Sequence, residues 1–142
     1  MKLCDANLLL YAVNSKEPLH KRSKEWLEDS LSKEEPFGLD WTVLLAFLRI
    51  STRPGIFSRP LSVKEAFDLI DAWLNQPCTQ VLAPTPRHSA ILRSLILPLG
   101  AGGNLTSDAH LAALALEHGA TLYSADGDFK RFPGLTFVNP LE

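Results

Sequence analysis

Cysteine is scarce in this sequence: Cys4 and Cys78 are the only two in 142 residues, far apart and without a Cys-x-x-Cys spacing. A disulfide framework or zinc knuckle is therefore not expected, and both thiols read as small buried hydrophobes. Net charge is nearly absent, −2 with a pI of about 6.1, so the chain as a whole lacks the basic field of a general nucleic-acid binder. No uninterrupted apolar run approaches the roughly 18 residues that a membrane span needs. The apolar start is broken by Asp5 and Asn7 and has no small-residue cleavage site, which argues against a secretory leader. A cytoplasmic protein without membrane contact is expected. A Gly-x-x-x-x-Gly-Lys-[Ser/Thr] loop is missing, which speaks against a nucleotide-driven motor. The four histidines show no metal-ligand spacing.

What is present suits an ordinary globular chain, with 46% hydrophobic and 21% charged residues. At this length one domain spanning 1–142 can bury about two-thirds of its unfolded surface without a metal staple. Short apolar runs alternate with helical patterns. Strands are predicted at Lys2–Asp5, Pro36–Leu39, Thr79–Ala83, Thr121–Tyr123 and Thr136–Val138. Helices are predicted at Leu19–Ser32, at Trp41–Thr52 before Pro54-Gly55, and after the capping-box sequence Ser62-Val63-Lys64-Glu65. Two more run from Thr85-Pro86 to Leu97 and from Leu105 to His118, the latter closed by Gly119. Strands separated by helices imply a mostly parallel sheet covered on both faces, an α/β class three-layer α/β/α sandwich.

Three aspartates stand where a carboxylate has little structural reason to be. Asp5 interrupts an apolar run at a strand end, Asp126 follows the apolar segment Ala120–Tyr123, and Asp108 opens the long Ala/Leu helix on the stripe of Leu111, Ala112 and Ala115. A buried ionised carboxylate must neutralise, pair or bind a metal. In parallel sheets the ligand crevice lies outside the carboxyl ends of the strands, where Asp5 and Asp126 both fall. Singly, each also fits a plainer role. Asp5 suits a helix cap, Asp126-Gly127 a turn, and Asp108 the positive end of a helix dipole with Thr106 or Ser107 as cap. Together they point to a divalent-metal site.

The motifs resemble the PIN-domain family and, within it, the VapC toxins of bacterial toxin–antitoxin pairs. Asp5-Ala6-Asn7-Leu8-Leu9-Leu10-Tyr11-Ala12 looks like the family's opening motif. Asn104–Ala115, containing Thr106-Ser107-Asp108-Ala109-His110, resembles its third acidic motif, and Leu122–Phe129, containing Ser124-Ala125-Asp126-Gly127-Asp128, its closing one. The order, spacing and length agree over nearly the whole chain. The resemblance implies a Mg2+- or Mn2+-dependent endoribonuclease, with carboxylate oxygens holding the hard cation and water filling its octahedron. It implies Asp5, Asp108 and Asp126 as metal ligands and catalytic residues, Asp128 as a weaker catalytic candidate, and Asn7 and Ser124 as orienting partners around the cofactor. It also implies an RNA substrate, a homodimer and a small VapB-like antitoxin.

There is one departure. The family usually carries a further acidic residue, commonly Glu, on the helix that here reads Trp41–Arg49, and its position falls at Leu44 to Ala46, all apolar. Asp40 stands four residues before Leu44, as a solvated cap or as a substitute reaching toward the site. The alternative to an active nuclease is thus a catalytically impaired PIN-like module that binds RNA or protein. An aspartyl phosphatase ranks last, because Asp5-Ala6-Asn7 lacks the second carboxylate of an Asp-x-Asp motif. His20-Lys21-Arg22-Ser23-Lys24 reads as a solvated basic face. Arg49, Arg53, Arg59, Lys130 and Arg131 are candidates for phosphate contact, and His110 reads as surface or substrate-contacting. Trp26, Trp41 and Trp73 are expected on helix core faces. The apolar helix Trp41–Thr52 and the segment Ile56–Leu61 offer contact surface for a partner, or else complete the core.

Overall fold

An apolar triplet followed by an amphipathic stretch, repeated along the chain, yields short parallel strands with helices between them. The computed structural model describes residues 1–55 and 57–142. Strand β1 (Lys2–Cys4) runs into α1 (Ala6–Val13) and α2 (His20–Leu31); β2 (Phe37–Leu39) into α3 (Trp41–Ser51) and α4 (Val63–Leu74). Strand β3 (Thr79–Val81) leads to α5 (His88–Ile96) and α6 (Thr106–His118), followed by β4 (Thr121–Tyr123) and β5 (Phe137–Val138). The sheet order is β3-β2-β1-β4-β5 and every pairing is parallel. The architecture is the expected three-layer α/β/α sandwich.

The chain moves outward from β1 to β3, then returns to lay β4 on the other side of β1. That reversal opens a crevice beyond the carboxyl ends of β1 and β4. Leu3 pairs with Gly38 on one side and Leu122 on the other. A Cβ at Gly38 would stand 2.8 Å from the Lys2 carbonyl oxygen, so only glycine lets β1 and β2 approach this closely. Leu3, Cys4, Phe37, Leu39 and Leu122 are fully buried, as are Leu8, Leu9, Phe47 and Leu114 from the helices. Each large apolar side chain so buried stabilises the fold by about 1.5–3 kcal/mol. Both cysteines are free and buried, as their sequence context predicts.

The capping box at Ser62 forms, with Ser62 Oγ accepting from Glu65 N and the Glu65 side chain returning to Ser62 N. Two expectations fail. Trp73 packs edge-on against Phe47 and Trp26 lies against Tyr123, but Trp41, the first residue of α3, is 45% exposed. Helix α5 starts at His88 rather than Thr85-Pro86, since Thr85 turns its backbone N–H onto the Glu117 carboxylate. Ile56 lies outside the described residues. Phe57 is buried and Leu61 half-buried, so these two complete the core. Among the described residues no helix is long and apolar enough to cross a membrane.

Candidate metal centre

Asp5 follows β1 in extended conformation and caps α1, its Oδ1 accepting from Ala6 N at 2.7 Å. Its Oδ2 accepts the hydroxyl proton of Ser124, also at 2.7 Å. Ser124 is fully buried just past β4. Its Oγ accepts from Asn7 Nδ2 and from Asp126 N, each at 3.0 Å, while Asn7 Oδ1 accepts from Ala125 N at 3.2 Å. Asp126 Oδ1 then accepts from Asp128 N at 2.9 Å and starts a short 3-10 turn over Gly127–Arg131. This polar strap joins the ends of two adjacent strands, and every group in it has a partner.

Asp108 enters from the first turn of α6. Carboxylate oxygens of Asp108, Asp126 and Asp128 lie within 4.8 Å of one another, the one such acidic triplet among the described residues. Asp5 stands outside that triplet but shares a cleft of about 260 Å³ with Asp108, Ser107, Thr42, Ala46 and Arg49. Burial pushes the Asp108 carboxyl up to about 6, and Asp5, Asp126 and Asp128 all add to the rise by like-charge repulsion. Burial also raises Asp5, with Asp126 adding, although the hydrogen bonds from Ser124 and Ala6 oppose the shift. Arg131 approaches Asp128 only to 3.8 Å, at the exposed rim. A crowded set of oxygen donors, with Arg131 only at its rim, is the donor chemistry that a hard divalent ion requires. The residues fit such an ion.

Helix α3 presents Thr42, Val43, Ala46 and Arg49 to the cleft. Of the three positions at which a glutamate was sought, Leu44 is buried, Leu45 is exposed, and Ala46 alone lines the cleft. Asp40 departs from both expectations for it. It is buried rather than solvated, and it is not turned into the acidic cleft. It caps α3 by accepting from Thr42 N and the Thr42 hydroxyl, and its Oδ2 lies 3.1 Å from His110 Nε2. Burial raises the Asp40 carboxyl, but the bonds from His110 and Thr42 outweigh it and hold the group below its usual value.

His110, partly buried, links α3 to α5. Its Nδ1 lies 3.0 Å from His88 Nε2, and His88 Nδ1 is bonded to Glu117 Oε2. Glu117 Oε1 accepts from Thr85 N and Thr85 Oγ1. This carboxylate–imidazole–imidazole–carboxylate chain escaped the sequence reading. The spacing of His110 and Glu117, seven residues and two helical turns apart on one face, was its one available signal. In the basic cluster, His20 Nδ1 is 2.9 Å from the Tyr11 carbonyl oxygen and Ser23 is buried, bonded to the Leu8 carbonyl. Lys21, Arg22 and Lys24 are exposed, the solvated face expected.

The chain is similar to known proteins over nearly its whole length. The PIN domain family profile matches residues 2–135. Ribonuclease VapC37 of Mycobacterium tuberculosis is 46% identical over 140 residues, covering 99% of this chain and 97% of that protein. Ribonuclease VapC33 of the same organism is 38% identical over 141 residues, covering 99% of each. Among solved structures, VapBC2 from Rickettsia felis bound to a DNA fragment from its promoter superposes with a TM-score of 0.70 at 18% identity, covering 97% of each chain. VapBC-1 from nontypeable Haemophilus influenzae gives 0.69 at 13% identity, covering 99% of this chain and 98% of that one. At such low identity these two structures speak to the fold.

Proposed function

The chain belongs to the PIN-domain family, and we propose that it is a VapC-type endoribonuclease, the toxin of a toxin–antitoxin pair, dependent on Mg2+ or Mn2+. The observation that carries this reading is the convergence of Asp108, Asp126 and Asp128, with Asp5 beside them, at the carboxyl ends of β1 and β4. Asp5, Asp108 and Asp126 hold the cation, Asp128 closes the group at its exposed rim, and Asn7 and Ser124 orient Asp5 and Asp126. A bound divalent ion supplies charge for the scissile phosphate and acidifies a water. Ser124 and Ala6 keep the Asp5 carboxylate in one orientation, which spares ordering cost when ion and substrate arrive. Arg49, on the same cleft wall, is placed to receive an RNA phosphate oxygen.

The whole acid set apart from the helix glutamate is present, and close relatives carry the ribonuclease name, so an active enzyme is favoured over an impaired module. Two exposed apolar pairs, Trp41 and Leu45 on α3 and Val63 and Phe67 on α4, support a protein partner, namely a VapB-like antitoxin or a second copy in a homodimer. A cytoplasmic site of action suits an RNA substrate. The deciding experiment is cleavage of structured RNA with Mn2+ or Mg2+, beside EDTA and the Asp5→Asn and Asp108→Asn variants. Metal-dependent cleavage that both substitutions abolish is expected, and cleavage indifferent to EDTA would refute the reading.

A further inference from the structure

Helix α6 carries Asp108 and continues from a short 3-10 turn over Gly103–Leu105 without a side-chain cap. The residue before it, Leu105, makes no side-chain cap, so neither Thr106 nor Ser107 plays the capping role their types suggest. The approach runs through Gly100 and Gly103, both in the left-handed region with φ of +76° and +47°. Such a stretch is conformationally permissive and does little to set where the first turn of α6 lies. Asp108 itself meets only repulsion from its neighbours.

Opposite lies α3, the helix on which Ala46 replaces the expected glutamate. With a glutamate there, a bound cation would bridge α3 to α6 through two carboxylates. Ala46 removes that bridge. What joins the two helices by side-chain hydrogen bonding is Asp40, at the start of α3, with His110 in the first turns of α6. His110 sits on the flank of α6, while Ser107, Asp108 and Leu111 turn to the cleft.

The link does not end at His110. His88, from the start of α5, places its Nε2 3.0 Å from His110 Nδ1, with the two rings 4.9 Å apart and nearly perpendicular. Glu117, whose side chain is wholly buried, grips His88 and Thr85 from the far end of α6. The same helix is thus held at both ends by one continuous chain of side chains. Each imidazole has a carboxylate on its outer nitrogen, an arrangement that fixes ring orientation.

We propose that the Asp40–His110–His88–Glu117 chain is a positioning device that sets α6, and with it Asp108, against α3 in place of the missing glutamate bridge. Asp40 thereby serves the centre without entering it. This rests on the reading of the acidic cleft as a metal site. None of the four touches the scissile phosphate; they act through Asp108.

The test is Mn2+ binding to the full chain, followed by loss of the free-ion electron paramagnetic resonance signal. Asp40→Asn keeps the α3 cap, because asparagine caps as well as aspartate, and removes the charge facing His110. Asp40→Asn and His110→Gln are each expected to weaken Mn2+ binding by about tenfold. The double variant should be no worse than the weaker-binding single, since both break one link. The KM for RNA should stay unchanged and cleavage should recover at saturating Mn2+. His88→Gln, remote from the cleft, should shift Mn2+ binding in the same direction. A core variant, Ile70→Val, serves as the control for general destabilisation and should bind Mn2+ as the wild type does. Unchanged Mn2+ affinity in both single variants, additive losses in the double, or an equal loss in Ile70→Val would overturn the inference alone. A wild type that binds no Mn2+ would overturn the metal-site reading, and this inference with it.

Discussion

Ser124 donates its hydroxyl proton to Asp5 Oδ2 at 2.7 Å across 119 positions of sequence. Ser124 Oγ also accepts from Asn7 and from the backbone of Asp126, so one buried hydroxyl sets the placement of two acidic residues. Ser124→Ala is expected to leave those donors unpaired and cost about 1–3 kcal/mol of stability. Mn2+ binding should weaken by about tenfold or more. Thermal unfolding and Mn2+ titration of the variant check both.

Asp108→Asn separates stability from function. In the metal-free protein the substitution removes a charge that Asp5, Asp126 and Asp128 all repel. The melting temperature in EDTA should therefore rise above that of the wild type, while RNA cleavage is lost and the stabilisation by Mn2+ shrinks. A variant less stable than wild type in EDTA would contradict the electrostatic account.

The sign of the pH dependence follows from the same group. Asp108 has a carboxyl raised from 3.8 to about 6 in the fold. A raised folded value means the folded state binds the proton more tightly than the unfolded chain. This contribution to stability is complete below the unfolded value and is lost as pH rises through about 6. Metal-free protein should lose stability between about pH 4 and pH 6, and the shift in melting temperature caused by Mn2+ should grow over that window. Asp40 and Glu117, held below their ordinary values, act in the opposite sense and only at lower pH. Melting curves with and without Mn2+ across this range test the prediction.

Ala46→Glu places a further carboxylate on the cleft wall beside Asp5 and Asp108. Mn2+ binding should tighten, and the metal-free protein should become less stable because another like charge joins the cluster. With the bridge restored, Asp40→Asn in that background should no longer weaken Mn2+ binding. Calorimetry of the single and double variants measures each effect.

Leu45 is 55% exposed on α3. Leu45→Asp should change the stability of the isolated chain by no more than about 0.5 kcal/mol, yet abolish association with an antitoxin or a second copy if α3 is the contact face. Light scattering and co-purification with a VapB-like antitoxin report the outcome.

Apart from α1, which the predicted helices did not include, the elements were legible because their determinants are local. A capping box at Ser62, a glycine after His118 and apolar triplets bounded by turn residues act within a few positions of chain, where steric and hydrogen-bonding preferences operate. The resemblance of three short acidic motifs to one family was likewise available from residue order alone. Misplacements arose where packing overrode the local signal: Thr85-Pro86 reads as a helix start until Glu117, distant in sequence, takes the Thr85 N–H. Trp41 reads as core, yet the fold leaves it exposed.

Order of strands, by contrast, was settled by packing. Nothing near Asp5 or Ser124 in sequence states that β4 lies against β1 rather than against β3, yet that adjacency brings the acidic residues to one crevice. The partners of Asp40 and His110 were hidden for the same reason. The chain through His88 and Glu117 draws on three helices, α3, α5 and α6, whose contact depends on how they settle over the sheet. Local preference, capping and periodicity act over a few residues and so are written in the sequence segment by segment. The pairing of distant carboxylates, hydroxyls and imidazoles is decided when a common core is buried, because only then do their separations fall within hydrogen-bond range.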